Sequence, residues 1–155
     1  EPVSLITLED TRFLHCNIKT LNLIPSVIAS QKAKDAGADE AVLYRPGELV
    51  TECAHSNVHI LKDGVLKTHP ADNLILGGIA RAHLLRACAA LSVPTDETAF
   101  TLSELFDADE VIVTSSSNLC IRAEKIDGKP VGGKAPELFE RLRSYLIDEF
   151  LTETA

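Results

Sequence analysis

The sequence lacks methionine, even at position 1, and it lacks any apolar run close to the roughly 18 residues that a bilayer-spanning helix requires. A chain that starts without methionine, in an apolar and strand-like segment, is predicted to be a piece of a longer polypeptide. The N-terminus also lacks the basic segment and the long apolar core of a secretory signal. We therefore expect a soluble, cytoplasmic protein that does not interact with membranes.

Positive charge is scarce as well. The chain has 15 Lys and Arg against 23 Asp and Glu, which gives a formal net charge of −8. The basic residues are scattered, whereas a protein that binds a phosphate backbone needs them gathered in a patch or stripe. We therefore expect no nucleic-acid partner.

Closely spaced cysteines are absent. Four cysteines are distributed along the chain: Cys16, Cys53, Cys88 and Cys120. Without a CxxC pair or a short secretory framework, they are expected to be buried free thiols in a reducing compartment. The most closely spaced group of possible metal ligands is Cys53 with His55 and His59. In a strand, this alternating spacing would keep the three side chains apart from Cys16, the preceding cysteine in the chain. No metal site is predicted.

The sequence does contain many short apolar segments, and its 155 residues suffice for one domain with its own core. Strands are predicted over residues 3–8, 11–16, 40–44, 49–52, 57–61, 65–68, 97–101, 110–114 and 119–126. Helices are predicted over residues 21–36, 72–76, 79–91, 102–106 and 136–152. Pro25 places the start of the first helix close to itself, and Gly37 ends that helix. This order predicts an α+β fold in which a mostly antiparallel sheet, barrel-like or sandwich-like, is flanked by helices.

One lysine has an unusual setting. Lys19 lies between a predicted strand and a predicted helix, with Ile18 and Leu21 close to it in sequence. If these apolar neighbours desolvate the lysine, its pKa falls, and the free amine can attack a carbonyl carbon. The alternative is a solvated surface charge.

Three further features could bind an anion or a ring nitrogen, although each also has an ordinary structural explanation. Glu52 ends a predicted strand and is either a site carboxylate or an exposed hairpin residue. Gly77-Gly78 precedes a predicted helix, and the free amides there either bind an anion or only form a turn. Residues 114–117 place four hydroxyl groups at the end of a predicted strand. These hydroxyls either donate to a phosphate or only stabilise a turn. An amine, a carboxylate and two donor-rich turns are together the groups that bind pyridoxal 5′-phosphate.

Five segments carry a resemblance to a known family. In order and spacing, they are EDTRFLHCNIKTLNLIPSVIA, DEAVLYRPGELVTECAHSNV, LKDGVLKTHPADNLILGGIAR, ELFDADEVIVTSSS and EKIDGKPVGG. The chain resembles the large C-terminal domain of the fold-type IV pyridoxal phosphate enzymes. It is most similar to D-amino acid aminotransferases, with branched-chain aminotransferases and aminodeoxychorismate lyases as relatives. Asn57 resembles the asparagine that closes the family's glutamate motif, for which we expect a structural role.

The resemblance implies roles for six residues. Lys19 matches the lysine that forms a Schiff base with the cofactor and then moves the proton at the substrate's α-carbon. Glu52 matches the carboxylate that keeps the pyridine nitrogen protonated, so that the ring accepts electrons. The resemblance also implies that Leu76 packs against the cofactor ring. Ile79 and Ala80 match residues whose backbone amides bind the phosphate, and Ser116 matches a residue whose hydroxyl donates to it.

Four positions depart from the family pattern. After Glu52, D-amino acid aminotransferases usually have glycine and serines where this chain has Cys53, Ala54 and His55, and the change removes hydroxyls near the cofactor. Ala80 replaces a common threonine, so one hydroxyl contact to the phosphate is lost while the backbone amide remains. Neither change removes the implied chemistry. His55 is either an extra donor at the site or a strand-edge residue that faces solvent.

The implied activity is transamination between an amino acid, such as D-alanine, and a 2-oxo acid, such as 2-oxoglutarate. In the family, a smaller N-terminal domain completes the phosphate and substrate sites. We expect residues 1–155 to be the large domain, with the smaller domain absent from this chain, in a homodimeric enzyme. The alternatives are a lyase or a branched-chain aminotransferase of the same fold, or a non-catalytic fragment that awaits its N-terminal domain.

Overall fold

The computed structural model describes residues 1–154, and within them it contains nine strands and four helices. The strands are β1 (Val3–Glu9), β2 (Glu40–Arg45), β3 (Leu49–Cys53), β4 (Asn57–Lys62), β5 (Val65–Thr68), β6 (Thr95–Asp96), β7 (Glu110–Thr114), β8 (Ile121–Ile126) and β9 (Lys129–Pro130). The helices are α1 (Ile24–Asp35), α2 (Ile79–Ala90), α3 (Leu102–Asp107) and α4 (Pro136–Glu153). None of these helices combines the length and the apolar content that crossing a membrane requires.

The strands form one sheet in the order β3-β2-β1-β8-β7-β4-β5-β6, with β9 paired to β8. Five of the eight pairings are antiparallel, whereas β1 runs parallel to both β2 and β8, and β5 runs parallel to β6. The sheet is therefore mixed, but mostly antiparallel as predicted.

The connection between β3 and β4 explains why the sheet curls. The two strands are five positions apart in the sheet order, which is roughly 24 Å in a flat sheet. Only residues 54–56 join them, and such a connection spans about 14 Å when fully extended. The edge strand β3 must therefore bend back towards β4. The predicted α+β fold with a barrel-like sheet and flanking helices is confirmed.

Apolar side chains on the sheet and helices form three buried clusters. The largest includes Phe100 and Leu105 next to the strands β1, β2, β4 and β7. The second joins the helices α2 and α4 to the other side of β4 and β7, through residues such as Leu84 and Leu142. In the third, Ala33 of α1 packs near β2. Each helix therefore has a buried side, and burial of these apolar side chains stabilises the fold.

Two local predictions are confirmed by the backbone. Helix α1 begins at Ile24 with Pro25 in its first turn, and Gly37 follows its end with a φ of +73°. The hairpin between β4 and β5 turns at Asp63 and Gly64, whose φ values of 49° and 77° suit a two-residue turn with both residues left-handed.

The predicted strand over residues 11–16 is wrong, because side chains rather than a strand neighbour satisfy the backbone there. The carboxylate of Asp10 accepts from the backbone N–H of Arg12 at 3.1 Å. Arg45 Nη2 donates to the carbonyl oxygens of Arg12 and Phe13, each at 3.2 Å. Residues 10–23 consequently form an irregular loop, called the lysine loop below.

Two shorter predictions are also wrong. Residues 72–76 are not helical, because Asp72 Oδ1 accepts from the backbone N–H of Leu74 at 2.9 Å and the N–H of Leu76 points to Glu52. The strand predicted over residues 97–101 is wrong, because the nearby strand β6 ends at Asp96 and only an isolated bridge between Thr101 and Leu49 falls within the predicted range.

Candidate active site

A cleft of about 560 Å³ opens where the lysine loop, the β3–β4 connection, the start of α2 and the end of β7 come together. The six residues with predicted cofactor roles all line it: Lys19, Glu52, Leu76, Ile79, Ala80 and Ser116. They come from four separate segments of the chain, so the fold rather than sequence proximity brings them together. Their roles towards a cofactor remain predictions.

The lysine loop is fixed from both sides. Arg45 holds its first half through the two carbonyl oxygens described above. The backbone N–H of Cys16 donates to the carbonyl oxygen of Asn73 at 2.9 Å, and Asn73 Nδ2 donates back to the carbonyl oxygen of Leu14 at 2.8 Å. Lys19 therefore leaves an anchored loop at the edge of the cleft.

Lys19 itself is exposed, and so are the apolar residues around it. Ile18 is 55% exposed and Leu21 is 97% exposed, so neither covers the ammonium group. Of the two alternatives for Lys19, the solvated surface charge describes this chain on its own.

Glu52 is a buried carboxylate with three partners. Its oxygens accept from Arg12 Nη1 at 2.6 Å, from Asn57 Nδ2 at 2.8 Å and from the backbone N–H of Leu76 at 3.2 Å. Burial raises the pKa of Glu52 to about 7, and the charge and hydrogen bond of Arg12 act in the opposite direction. The alternative of an exposed hairpin glutamate is therefore wrong, because only 5% of Glu52 is exposed.

Asp10 and Arg12 were not predicted as site residues, although Arg12 hydrogen-bonds to Glu52 and Asp10 holds Arg12. Arg12 donates to Asp10 from Nε at 3.0 Å and from Nη2 at 2.9 Å, and Thr51 Oγ1 donates to the same carboxylate at 2.8 Å. Burial opposes both charges, yet their mutual hydrogen bonds and charges lower the pKa of Asp10 and raise that of Arg12. The available signal for this ion pair was the spacing of Asp10 and Arg12, which lie two residues apart at the start of the segment predicted as a strand.

Two further segments of the cleft lining are rich in hydrogen-bond donors. Gly78 precedes α2 with extended backbone and no side-chain cap, so the first amides of that helix and its dipole face outward at Ile79 and Ala80. Thr114, Ser115 and Ser116 line the same cleft. The two donor-rich turns predicted from the sequence therefore meet at one place.

Three of the four residues that depart from the family pattern lie at the end of β3 and in its connection to β4, and the fourth, Ala80, lies in the first turn of α2. His55 lines the cleft and is exposed, and its Nε2 hydrogen-bonds to Ser30 Oγ of α1 at 2.6 Å. Its backbone N–H donates to Glu40 Oε1 at 2.6 Å. Cys53 is buried beside it, and burial holds the pKa of its thiol well above the usual value. His55 is therefore an exposed residue at the border of the cleft and lies between two strands, and its role as an extra donor stays a prediction.

These groups fit pyridoxal phosphate. The cleft volume lies within the range of about 300–1,000 Å³ that is usual for small-molecule sites. An amine, a buried carboxylate and a helix start without a side-chain cap match the aldehyde, the ring nitrogen and the phosphate. Among residues 1–154, no three His, Cys, Asp or Glu side chains are grouped so that they could hold a metal ion.

Sequence comparison identifies relatives of known type. Residues 3–126 match the family described as amino-transferase class IV. The D-alanine aminotransferase of Listeria monocytogenes serotype 4b (strain F2365) is 45% identical over 148 residues, which cover 95% of this chain and 51% of that protein. The D-alanine aminotransferase of Bacillus licheniformis is 44% identical over 154 residues, covering 99% of this chain and 54% of that protein. The chain thus spans about half the length of these curated relatives.

Solved structures share the fold. A fold IV-transaminase from Curtobacterium pusillum has a TM-score of 0.86 at 24% identity, over 98% of this chain and 54% of that one. The PLP-bound form of a hypothetical aminotransferase from Mycobacterium tuberculosis has a TM-score of 0.84 at 24% identity, over 96% and 57%. A branched-chain aminotransferase from the archaeon Thermoproteus uzoniensis, solved with norvaline, has a TM-score of 0.77 at 25% identity, over 96% and 53%.

The predicted resemblance is thereby confirmed at the level of the family. The match covers residues 3–126, and the relatives reach 44–45% identity over nearly the whole chain. The chain belongs to the class IV aminotransferase family.

Proposed function

We propose that this chain is the large, cofactor-binding domain of a pyridoxal phosphate-dependent aminotransferase. The reaction would move the amino group of an amino acid, with D-alanine as the first candidate, to a 2-oxo acid such as 2-oxoglutarate. The observation that carries the proposal is the single cleft that Lys19, Glu52 and the start of α2 line in a class IV aminotransferase chain. The names of the relatives, D-alanine aminotransferase, favour the D-amino acid.

Lys19 and Glu52 would serve opposite needs of the reaction. Bound pyridoxal phosphate supplies an electron sink for the charge that remains when the substrate loses its α-proton. Lys19 Nζ would bind the cofactor through its aldehyde carbon and then move the proton at the substrate's α-carbon. Glu52 would hold a proton at the ring nitrogen, for which its carboxylate must be ionised.

Arg12 supports the ionised form of Glu52. Burial alone would favour the neutral acid, and the guanidinium 2.6 Å away acts against that tendency. Asp10 holds Arg12 through two further hydrogen bonds, so the guanidinium would stay in position if Glu52 bound a ring nitrogen. Glu52 would therefore carry its negative charge at the position where the reaction needs an ionised carboxylate.

The phosphate would lie at the start of α2, where the amides of Ile79 and Ala80 and the hydroxyl of Ser116 supply donors. Leu76 would pack against the ring between the phosphate and Glu52. This arrangement would orient the cofactor by its two polar ends and leave its aldehyde towards the lysine loop.

A second, smaller domain outside this chain would complete the enzyme. The chain spans about half of its relatives, and the apolar side chains next to Lys19 are exposed: Ile18, Leu21, Leu23, Ile24, Val27 and Ile28. Coverage of these residues would exclude water from the amine. A homodimer in the cytoplasm is part of the same proposal.

Branched-chain amino acid transamination is the second candidate, because the branched-chain aminotransferase from Thermoproteus uzoniensis has a TM-score of 0.77 at 25% identity. The full-length protein, loaded with pyridoxal phosphate and mixed with one amino acid at a time, distinguishes the two. Loss of the cofactor's visible absorption with D-alanine supports the first candidate, and loss with L-leucine supports the second. Release of pyruvate from aminodeoxychorismate without an oxo-acid acceptor would instead identify a lyase.

The role of Lys19 has a direct test. Borohydride reduction of the full-length protein with pyridoxal phosphate, followed by peptide mapping, should find the cofactor on Lys19. Lys19→Ala should lose both the modified peptide and turnover, while Lys34→Ala, at an exposed position of α1, should keep them. Turnover in Lys19→Ala, or label on another lysine, would overturn the assignment.

A further inference from the structure

Asn57 occupies the point where three parts of the cleft meet. It is the first residue of β4, it is paired with Thr114 at the end of β7, and only 5% of it is exposed. Its amide nitrogen donates to Glu52 Oε2 and to the carbonyl oxygen of Leu76, each at 2.8 Å. One buried amide group therefore joins the carboxylate to the turn that begins α2.

The other side of the same amide touches that turn. A Cβ added at Gly78 would overlap Asn57 Oδ1, so the side-chain oxygen of Asn57 lies directly against the backbone of Gly78. The backbone N–H of Gly78 donates to the carbonyl oxygen of Leu76 at 2.9 Å, which is the same oxygen that Asn57 holds. The start of α2 thus cannot move relative to Glu52 without breaking a hydrogen bond to Asn57.

We propose that Asn57 is a positioning residue, which sets the spacing between Glu52 and the start of α2 and so between the two polar ends of bound pyridoxal phosphate. This inference rests on the proposed function. A planar amide with two donor hydrogens suits the task, because it bridges two fixed acceptors in one orientation. The structural role expected for Asn57 from the sequence becomes a role in cofactor geometry.

Adjacent glycines provide a matched test. A Cβ at Gly77 meets nothing within 4 Å, whereas a Cβ at Gly78 overlaps Asn57, and neither backbone is left-handed. Gly78→Ala should push the amide away from Glu52, and Gly77→Ala should not. In an Asn57→Ala background the overlap is gone, so Gly78→Ala should have no further effect.

The measurement is the dissociation constant for pyridoxal phosphate in the full-length protein, at a temperature where every variant is folded by circular dichroism. We expect Gly78→Ala and Asn57→Ala each to raise it about tenfold or more, which is the effect of losing one buried, charge-assisted hydrogen bond. Gly77→Ala should leave it within about twofold, and the double variant should match Asn57→Ala. Asn57→Ser replaces Asn57→Ala if the latter does not fold.

Equal effects of Gly78→Ala in both backgrounds would overturn the proposal, because the glycine would then act without Asn57. So would equal effects of the two glycine substitutions. A second readout needs no cofactor: hydrogen exchange of the Leu76 amide, which donates to Glu52, should be faster in Gly78→Ala than in Gly77→Ala. Failure of wild-type protein to bind pyridoxal phosphate would contradict the proposed function, whereas binding with additive substitutions would contradict only the role of Asn57.

Discussion

Arg12 and Glu52 form a nearly buried ion pair, with 2.6 Å between Nη1 and Oε1 and side chains that are 11% and 6% exposed. Asp10 completes the group on the far side of Arg12, so one guanidinium lies between two carboxylates. Such a group is costly to desolvate, and breaking it leaves an uncompensated buried charge. Arg12 belongs to the lysine loop and donates to Glu52, so the same guanidinium stabilises the loop and the charge of Glu52.

Replacing Arg12 by methionine should move the pH dependence of the reaction. Arg12 lowers the pKa of Glu52, which is about 7 in its presence, so its removal raises that pKa. The ionised form then appears only at higher pH, and activity at pH 7 should fall about fivefold for the first pKa unit and about tenfold for each further unit. The acid limb of the pH profile of kcat/KM in the full-length enzyme should move upward accordingly.

Arg141→Met provides the control for Arg12→Met, because Arg141 is an exposed arginine on α4. It should leave the acid limb where the wild type has it. An unchanged acid limb in folded Arg12→Met would show that Glu52 does not depend on this guanidinium.

Local rules predicted the segments whose structure depends on neighbouring residues. Pro25 and Gly37 indicated both ends of α1, and Asp63-Gly64 indicated the hairpin between β4 and β5. These features could be predicted because each one is determined within a few residues. Lys19 and Glu52 were instead predicted as site residues from the resemblance to the family, and the cleft contains both.

The lysine loop could not be predicted in this way, because distant residues determine its structure. Arg45 holds the carbonyl oxygen of Arg12 across 33 positions, and Asn73 holds that of Leu14 across 59. Apolar residues in this segment suggested a strand, but no local signal showed that side chains would satisfy its backbone. For the same reason the parallel pairing of β1 with both β2 and β8 was not predicted.

Glu110→Gln should destabilise the protein without touching the cleft. Glu110 is fully buried on β7, and its two oxygens accept from the backbone N–H groups of Gly133 and Ala135, each at 3.0 Å. An amide in its place has only one acceptor oxygen, so one N–H loses its partner at a cost of about 1–3 kcal/mol. The melting temperature should fall, whereas Glu124→Gln, at an exposed position of β8, should leave it unchanged. Equal melting temperatures would mean that this carboxylate does not hold the segment before α4.

His59 should remain neutral across the physiological pH range. Its imidazole is fully buried and hydrogen-bonds to Thr68 and Thr114, each at 2.8 Å, and burial lowers its pKa to about 3, with Arg81 as a smaller cause. Below pH 6.5 the unfolded chain binds a proton that the folded chain does not, so stability from His59 is complete above pH 6.5 and is lost as the pH falls towards 3. The difference in unfolding free energy between wild type and His59→Gln should therefore be smaller at pH 5 than at pH 7, by up to about 2 kcal/mol. Denaturant titrations at the two pH values measure it, and the Cε1 resonance of His59 should not shift between them. A difference independent of pH, with a shifting resonance, would show that His59 is protonated within the fold.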